Sequence, residues 1–426
     1  MTLKRNIPPK IWGVDKVEYI APVHLKLNNG AELFTLNIGD QEVVKIDFSF
    51  EAGCWYGKSR LDSTMAAAML QEGTFHHNAI EIANTVDFYG AQFSSGSSYD
   101  CNYISLLSLK KHLPNLLPLV SEIIRESSFP VEEFEILKLK RKQRAIVDEG
   151  RVSMIAQRSF LRNLFGDDHP YSPVADISSY DSISLDESRS HYLNFYRPER
   201  MTILASGFVD EDVIRLIETN FSASWGNEVS TVTTKEIKPK TSAREIFIEK
   251  PEATQNAIAI GKLFPTLDHP DFPGLRLLCT ILGGYFGSRL MTNLREEKGY
   301  TYSIQASPIT FKHNGVFLVF AEVKTDKTEE TVKEIFFEME RLRTELITEE
   351  ELMPIQNYML GRILEDFDGP FARAQTFATL REVNLDFGYF QKLIAAIKNT
   401  TPIEIRELAI KYFAPESMCT VIAGTR

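Results

Sequence analysis

Eight histidines and four cysteines are the side chains here that could hold a transition metal or supply a nucleophile. His24, His76, His77, His112, His169, His191, His269 and His313 include no pair spaced three or four apart. That spacing would be needed to set two imidazoles on one helix face, so no self-contained zinc site is legible. His76 and His77 are adjacent, follow Gly73 closely and read as turn histidines in water. Cys54, Cys101, Cys279 and Cys419 form no Cys-x-x-Cys pair and read as buried free thiols. Gly283-Gly284-Tyr285-Phe286-Gly287 lacks both the G-x-G-x-x-G of a dinucleotide fold and the Lys-Ser/Thr of a P-loop. It follows a helix-like run and reads as a turn between helices. Leu294-Arg295-Glu296-Glu297-Lys298-Gly299-Tyr300-Thr301-Tyr302-Ser303 has the form of a charged helix end, stopped by glycine and followed by a strand. Its residue types alone describe a solvated helix terminus leading to an edge strand.

The elements that must carry these residues are written twice. Tyr196-Arg197-Pro198-Glu199-Arg200-Met201, with Gly207 beyond, is matched by Phe413-Ala414-Pro415-Glu416-Ser417-Met418, with Gly424 beyond. Pro198 and Pro415 are 217 apart (415 − 198), and the glutamate, methionine and glycine pairs keep the same offset. In the first half, Val44, Ile46, Phe48 and Phe50 alternate with polar residues, the period of a strand with one buried face. Helices are expected over about 61–70 and 78–89, the latter stopped by Gly90, then strands near 91–98 and 103–109. The second half repeats the order: a strand at 257–260, helices at 274–282 and 288–297, strands at 302–306 and 316–323. Val332, Ile335, Phe336, Met339 and Leu342 mark an amphipathic helix, and Thr348 with Glu351 makes a capping box for the next. The expected fold is α+β, with two homologous domains, each a mostly antiparallel sheet covered by helices on one side. Their expected bounds are 1–225 and 243–426, joined by a polar linker over 226–242.

The balance of 47 basic against 58 acidic residues gives a net charge of −11, the wrong sign for a general nucleic-acid binder. No apolar run approaches the ~20 residues of a membrane span. The start, MTLKRNIPPK, has no signal-peptide core, so the sequence reads as cytoplasmic, or periplasmic had a leader been removed.

Leu282-Gly283-Gly284, Gly287-Ser288-Arg289-Leu290, Leu294-Arg295-Glu296 and Gly299 to Ser303 together resemble the C-terminal-domain signature of the pitrilysin/insulinase family of zinc peptidases. The tandem repeat, Phe129-Pro130, His169-Pro170-Tyr171 and Tyr196-Arg197-Pro198 fit as well, so the resemblance runs from about Asn29 to Gly424. The family's first domain carries H-x-x-E-H before a hydrophobic residue and Gly-Thr. Counting back from Gly73-Thr74, its two metal histidines fall on Thr64 and Ala68, and its water-activating glutamate on Ala67. The distal glutamate should lie near Arg141 to Ala145, where the sequence is basic. The resemblance therefore implies no zinc and no other cofactor in this chain.

It also implies that Arg295 and Tyr302 act together. In active relatives such a pair reaches bound peptide across a closed cleft. A guanidinium forks onto peptide carbonyls and a phenol donates to the oxyanion. Some relatives split the parts between two chains, one with zinc and one with this pair. The expectation is thus a heterodimer with a homologous zinc-bearing subunit around a peptide-hydrolysing chamber, this chain being inactive alone. A homodimer in isolation, a structural or peptide-binding subunit, and an independent metallopeptidase with another metal site stay open. Relatives also bind peptide as an added strand beside the zinc helix, here near 91–97. A non-catalytic mitochondrial processing-peptidase subunit of the same fold carries a long glycine-rich loop where 283–288 is short.

Overall fold

The computed structural model describes residues 19–173, 177–226, 237–241 and 244–426. Most of the expected linker, residues 227–236 and 242, lies outside them. The first half supplies β1 (Val23–Lys26), β2 (Glu32–Asn37), β3 (Val43–Phe50), β4 (Gln92–Ser97), β5 (Asn102–Leu109) and β6 (Met201–Gly207). They form one sheet in the order β1-β2-β6-β3-β5-β4. The second half supplies β7 (Glu245–Glu249), β8 (Gln255–Phe264), β9 (Thr301–Thr310), β10 (Gly315–Lys324) and β11 (Cys419–Gly424), ordered β7-β11-β8-β10-β9. Only β2 with β6 and β7 with β11 run parallel; every other pairing is antiparallel.

The 217-residue repeat becomes spatial here. In each half the last strand inserts between the first strands, β6 between β2 and β3, β11 between β7 and β8. Each sheet also ends in an edge strand in corresponding position, β4 and β9. The fold is the expected one, two mostly antiparallel sheets with helices.

Sheet coverage has a second component that periodicity did not reveal. Alternation along β8 sends Ile258 and Ile260 into the large second-half core, while Ala257 and Ala259 face the other way. Against those alanines lies the Val152–Phe165 helix of the first half, through Ala156, Phe160 and Leu164. The Gly369–Glu382 helix of the second half likewise sits under the first sheet, where Ala374 packs with Phe34, Leu36 and Leu204. Each half thus covers part of the other's sheet. Small residues on the strands let a helix backbone approach.

The two halves also meet through their equivalent hairpin turns. Asp100, between β4 and β5, accepts from the Tyr171 phenol at 2.7 Å and from the Lys312 backbone N–H at 3.2 Å. The Tyr171 oxygen in turn accepts from the His313 N–H at 3.2 Å, and the His313 ring stacks on Trp55 at 4.1 Å. Burial, and then Asp100, push the Tyr171 phenol up, so it remains a donor. Beside it, the Cys101 thiol donates to Glu382 Oε1 at 3.1 Å. All four cysteines are free and buried. No helix among the described residues is long and apolar enough to cross a membrane.

Two predictions follow from this joint. Tyr171→Phe should cost about 1.5–3 kcal/mol, the usual loss for a hydrogen bond to a charged group, read as a lower urea midpoint at unchanged slope. Burial raises the Glu382 carboxyl above the usual range. The folded state therefore binds this proton more readily than the unfolded chain, and its contribution weakens as pH rises above about 4.3. Glu382→Gln should flatten that part of the stability–pH curve between pH 4 and 7; an unchanged slope would contradict the assignment.

Candidate functional site

The helix that would carry zinc in a relative is intact as a structure. It spans Arg60–Met69 and opens on a capping box between Ser59 and Asp62. Its polar neighbours sew it to the sheet. Ser63 Oγ donates to the Ala52 carbonyl at 2.8 Å and lies 2.9 Å from Asn102 Oδ1, while Ser95 of β4 donates to the Ala67 carbonyl at 2.8 Å. The ligand positions carry no ligands. Thr64 turns its hydroxyl back onto the carbonyls of Arg60 and Leu61, Ala68 has no donor atom, and Ala67 is buried. Ala66-Ala67-Ala68 instead supplies helix propensity and close packing.

The facing helix, Val131–Asp148, offers no replacement. Around the expected distal position stand Lys140, Arg141, Lys142 and Arg144. Lys142 pairs with Asp181 at 2.6 Å. Asp148, the first carboxylate beyond, is taken by Arg144 at 3.4 Å and Arg158 at 3.7 Å. Glu72 sits nearby with its carboxyl raised by burial and then by Glu133. Among the described residues, no group of three or more His, Cys, Asp or Glu side chains could hold a metal ion. These donors do not fit zinc.

Arg295 and Tyr302 are brought together. The Phe272–Cys279 helix runs on into a wide turn over Thr280–Gly284, and a second wide turn, Met291–Glu297, presents Arg295. Such π-type turns replace the last residues, 280–282, of the helix expected over 274–282 and most of the one expected over 288–297, and they concentrate at functional sites. Gly283 is required by contact: a Cβ there would lie 2.7 Å from both the backbone N and the Cβ of Ala306 on β9. Gly299, at φ +65°, reverses the chain between arginine and tyrosine. Asn293 donates to Glu334 at 3.0 Å and Glu338 at 2.8 Å, and Lys298 pairs with Glu334 at 2.6 Å, fixing the turn from behind.

Tyr302 owes its direction to a β-bulge. Thr301 pairs with Val323 and Ile304 with Ala321, so Tyr302 and Ser303 together face the single residue Glu322. Both point outward, and Tyr302 is 83% exposed. The Arg295 Cζ lies 4.7 Å from the Tyr302 ring centre and 4.8 Å from that of Phe286. Among the described residues no carboxylate or carbonyl accepts from Arg295, although Glu296 and Glu297 follow it directly. Its hydrogen-bonding edge is unspent.

The turn holding Phe286 is itself anchored. Arg289 grips Glu351 with two bonds of 2.7 and 3.0 Å, and the Tyr285 ring packs at a tilt against Tyr358 at 5.2 Å. This corrects the expected capping box. Thr348 does accept from the Glu351 N–H at 3.2 Å, but the Glu351 carboxylate is committed to Arg289 instead. Neither Phe286 nor the bulge was singled out from sequence. The broken alternation at Thr301-Tyr302-Ser303-Ile304 was the available signal.

Two similar sheet-and-helix halves, with no ligand side chains at Thr64, Ala67 and Ala68, frame the comparison with known proteins. Residues 182–359 match the family described as "Peptidase M16 inactive domain". A protein named an uncharacterized zinc protease from Mycobacterium tuberculosis is 23% identical over 417 residues, 94% of this chain and 92% of that one. One of the same description from Rickettsia felis is 24% identical over 396 residues, 90% of each. The crystal structure of a peptidase M16 inactive domain from Pseudomonas fluorescens superposes with a TM-score of 0.85 at 21% identity, covering 96% of this chain and 99% of that chain. A protease from Helicobacter pylori gives 0.84 at 20%, covering 94% and 99%. Over residues 182–359 the chain is thus similar to the M16 inactive domain, and over most of its length to proteins named zinc proteases.

Gly283→Ala should force the first turn off β9 and cost about 1–3 kcal/mol, seen as a lower melting temperature. A variant as stable as the wild type would show that the contact is not close-packed.

Proposed function

We propose that this chain is the zinc-free subunit of a two-chain M16 endopeptidase, lending Arg295 and Tyr302 to a site whose zinc the partner holds. In this reading, residues 1–225 and 243–426 are its two domains. The partner is a homologous subunit with an intact H-x-x-E-H, and the two close as a heterodimer around a peptide. The observation that carries the reading is the Arg295 guanidinium, half-buried, held on aromatic faces and satisfied by no acceptor among the described residues. A guanidinium in that state binds an oxygen acceptor that comes from outside, and a peptide carbonyl is one.

The division of labour follows from the side chains. Arg295 donates a forked pair of N–H bonds to a carbonyl of the bound peptide and fixes its register. Tyr302, projecting from the bulge, donates its O–H to the carbonyl oxygen that gains charge when the peptide bond is attacked. Water activation is the partner's task, since Ala67 has no base. The β4 edge, exposed beside the vacated helix, is free to pair with an extended peptide.

The test reconstitutes the heterodimer and measures turnover of a fluorogenic peptide. Tyr302→Phe should lower kcat by roughly 100-fold or more, the loss typical of one oxyanion donor. Arg295→Ala should lower kcat/KM strongly, with assembly unchanged because neither side chain hydrogen-bonds to another described residue. The chain alone should hold less than stoichiometric zinc by elemental analysis and cleave nothing. Wild-type turnover by both variants would leave the chain a structural subunit, and full zinc in the lone chain would refute the division of labour.

A further inference from the structure

Phe286 stands in the gap between Leu282–Gly284 and Gly287–Leu290, the two stretches that carry the family resemblance, and the proposed mechanism gives it no task. It is 59% exposed, an apolar ring at a loop tip that gains little from burial. The loop does not leave it there by default. Tyr285, its neighbour, turns in against Tyr358, and Arg289 locks the far side to Glu351. Gly287 lets Tyr285 fold back, because a Cβ there would meet the Tyr285 ring at 2.9 Å. With both flanks fixed, Phe286 is held outward against Arg295.

The geometry around the guanidinium is two-sided. Its Cζ is 4.8 Å from the Phe286 ring centre and 4.7 Å from that of Tyr302, both within the range of cation–π attraction. A free arginine side chain samples many rotamers, and that freedom is lost when a ligand is bound. Aromatic faces restrict it while leaving the in-plane N–H donors unused. A carboxylate partner would restrict it too, but would occupy the donors that a peptide needs.

We infer that Phe286 is a positioning residue for Arg295: with Tyr302 it holds the guanidinium in one orientation, edge free, before peptide arrives. The inference rests on the proposed role of Arg295. Leucine at 286 keeps apolar bulk but has no π face; tryptophan keeps the face. The assay is the reconstituted heterodimer with a fluorogenic peptide, reading kcat and KM separately for Phe286→Leu, Phe286→Trp, Arg295→Ala and the Phe286→Leu/Arg295→Ala double variant. Phe286→Leu should lose about two- to fivefold in kcat/KM, the span expected of an exposed cation–π contact. Phe286→Trp should stay within about twofold of wild type. The loss from Phe286→Leu should vanish in the Arg295→Ala background. In the isolated chain, the ring-current shift of the Arg295 side-chain protons should fall to the part that Tyr302 supplies in Phe286→Leu and persist in Phe286→Trp.

If Arg295→Ala is impaired while Phe286→Leu matches wild type, the positioning role is overturned and the proposed function stands. An equal loss from Phe286→Leu in the Arg295→Ala background would likewise overturn it, marking Phe286 as a peptide or partner contact in its own right. If Arg295→Ala keeps full activity, the proposed function falls and this inference falls with it.

Discussion

Each half of this chain builds a sheet whose second face it does not cover by itself, and the other half covers part of it. Ala257 and Ala259 on β8, with Val421 and Ala423 on β11, have no long side chains to fill a layer. They are matched to Phe160 and its helix from the first half. Phe34 and Leu36 on β2 wait in the same way for the Gly369–Glu382 helix. Burying both apolar faces is the main source of stability available to such sheets. The exchange therefore holds the two halves in one arrangement. Asp100, Tyr171 and His313 tie the hairpin turns where the sheets meet, and Glu382, last residue of an exchanged helix, reaches Cys101 at the same joint.

That rigidity is what the Arg295 site stands on. The arginine is on a wide turn, the tyrosine on a bulged edge strand and the phenylalanine on a loop, none of them regular structure. Each is pinned by a contact to a packed element: Gly283 on β9, Arg289 on Glu351, Asn293 on Glu334 and Glu338. The first half shows the converse case. Its helix at Arg60–Met69 has the capping box, the serine contacts and the packing, with no metal-binding side chain at Ala67 or Ala68 and the Thr64 hydroxyl turned onto its own helix. The core needs this helix whatever its outer face carries.

Much of this was legible in the residues. Alternating Val44 to Phe50 gave β3, Gly90 ended its helix, and the offset from Pro198 to Pro415 announced two copies of one unit. The resemblance could be aligned on Thr64, Ala67 and Ala68 because Gly73-Thr74 fixed the count. Other features were hidden. The turns over Thr280–Gly284 and Met291–Glu297 have helical composition, and their widening answers the close approach of β9, a neighbour distant in sequence. Glu351 looked like half of a capping box, but a buried guanidinium from Arg289 outcompeted a backbone N–H for it.

The sequence by itself determined that no histidine or glutamate stands at positions 64, 67 and 68, and which two residues stand seven apart in its second half. Side-chain identity settles whether a ligand atom exists at all, so alanines can be read without coordinates. Only the tertiary structure decided that Arg295 keeps its donors free and lies between two rings. Whether a charge is paired or a ring is turned outward depends on contacts between segments far apart in the chain. Local pattern does not record those contacts.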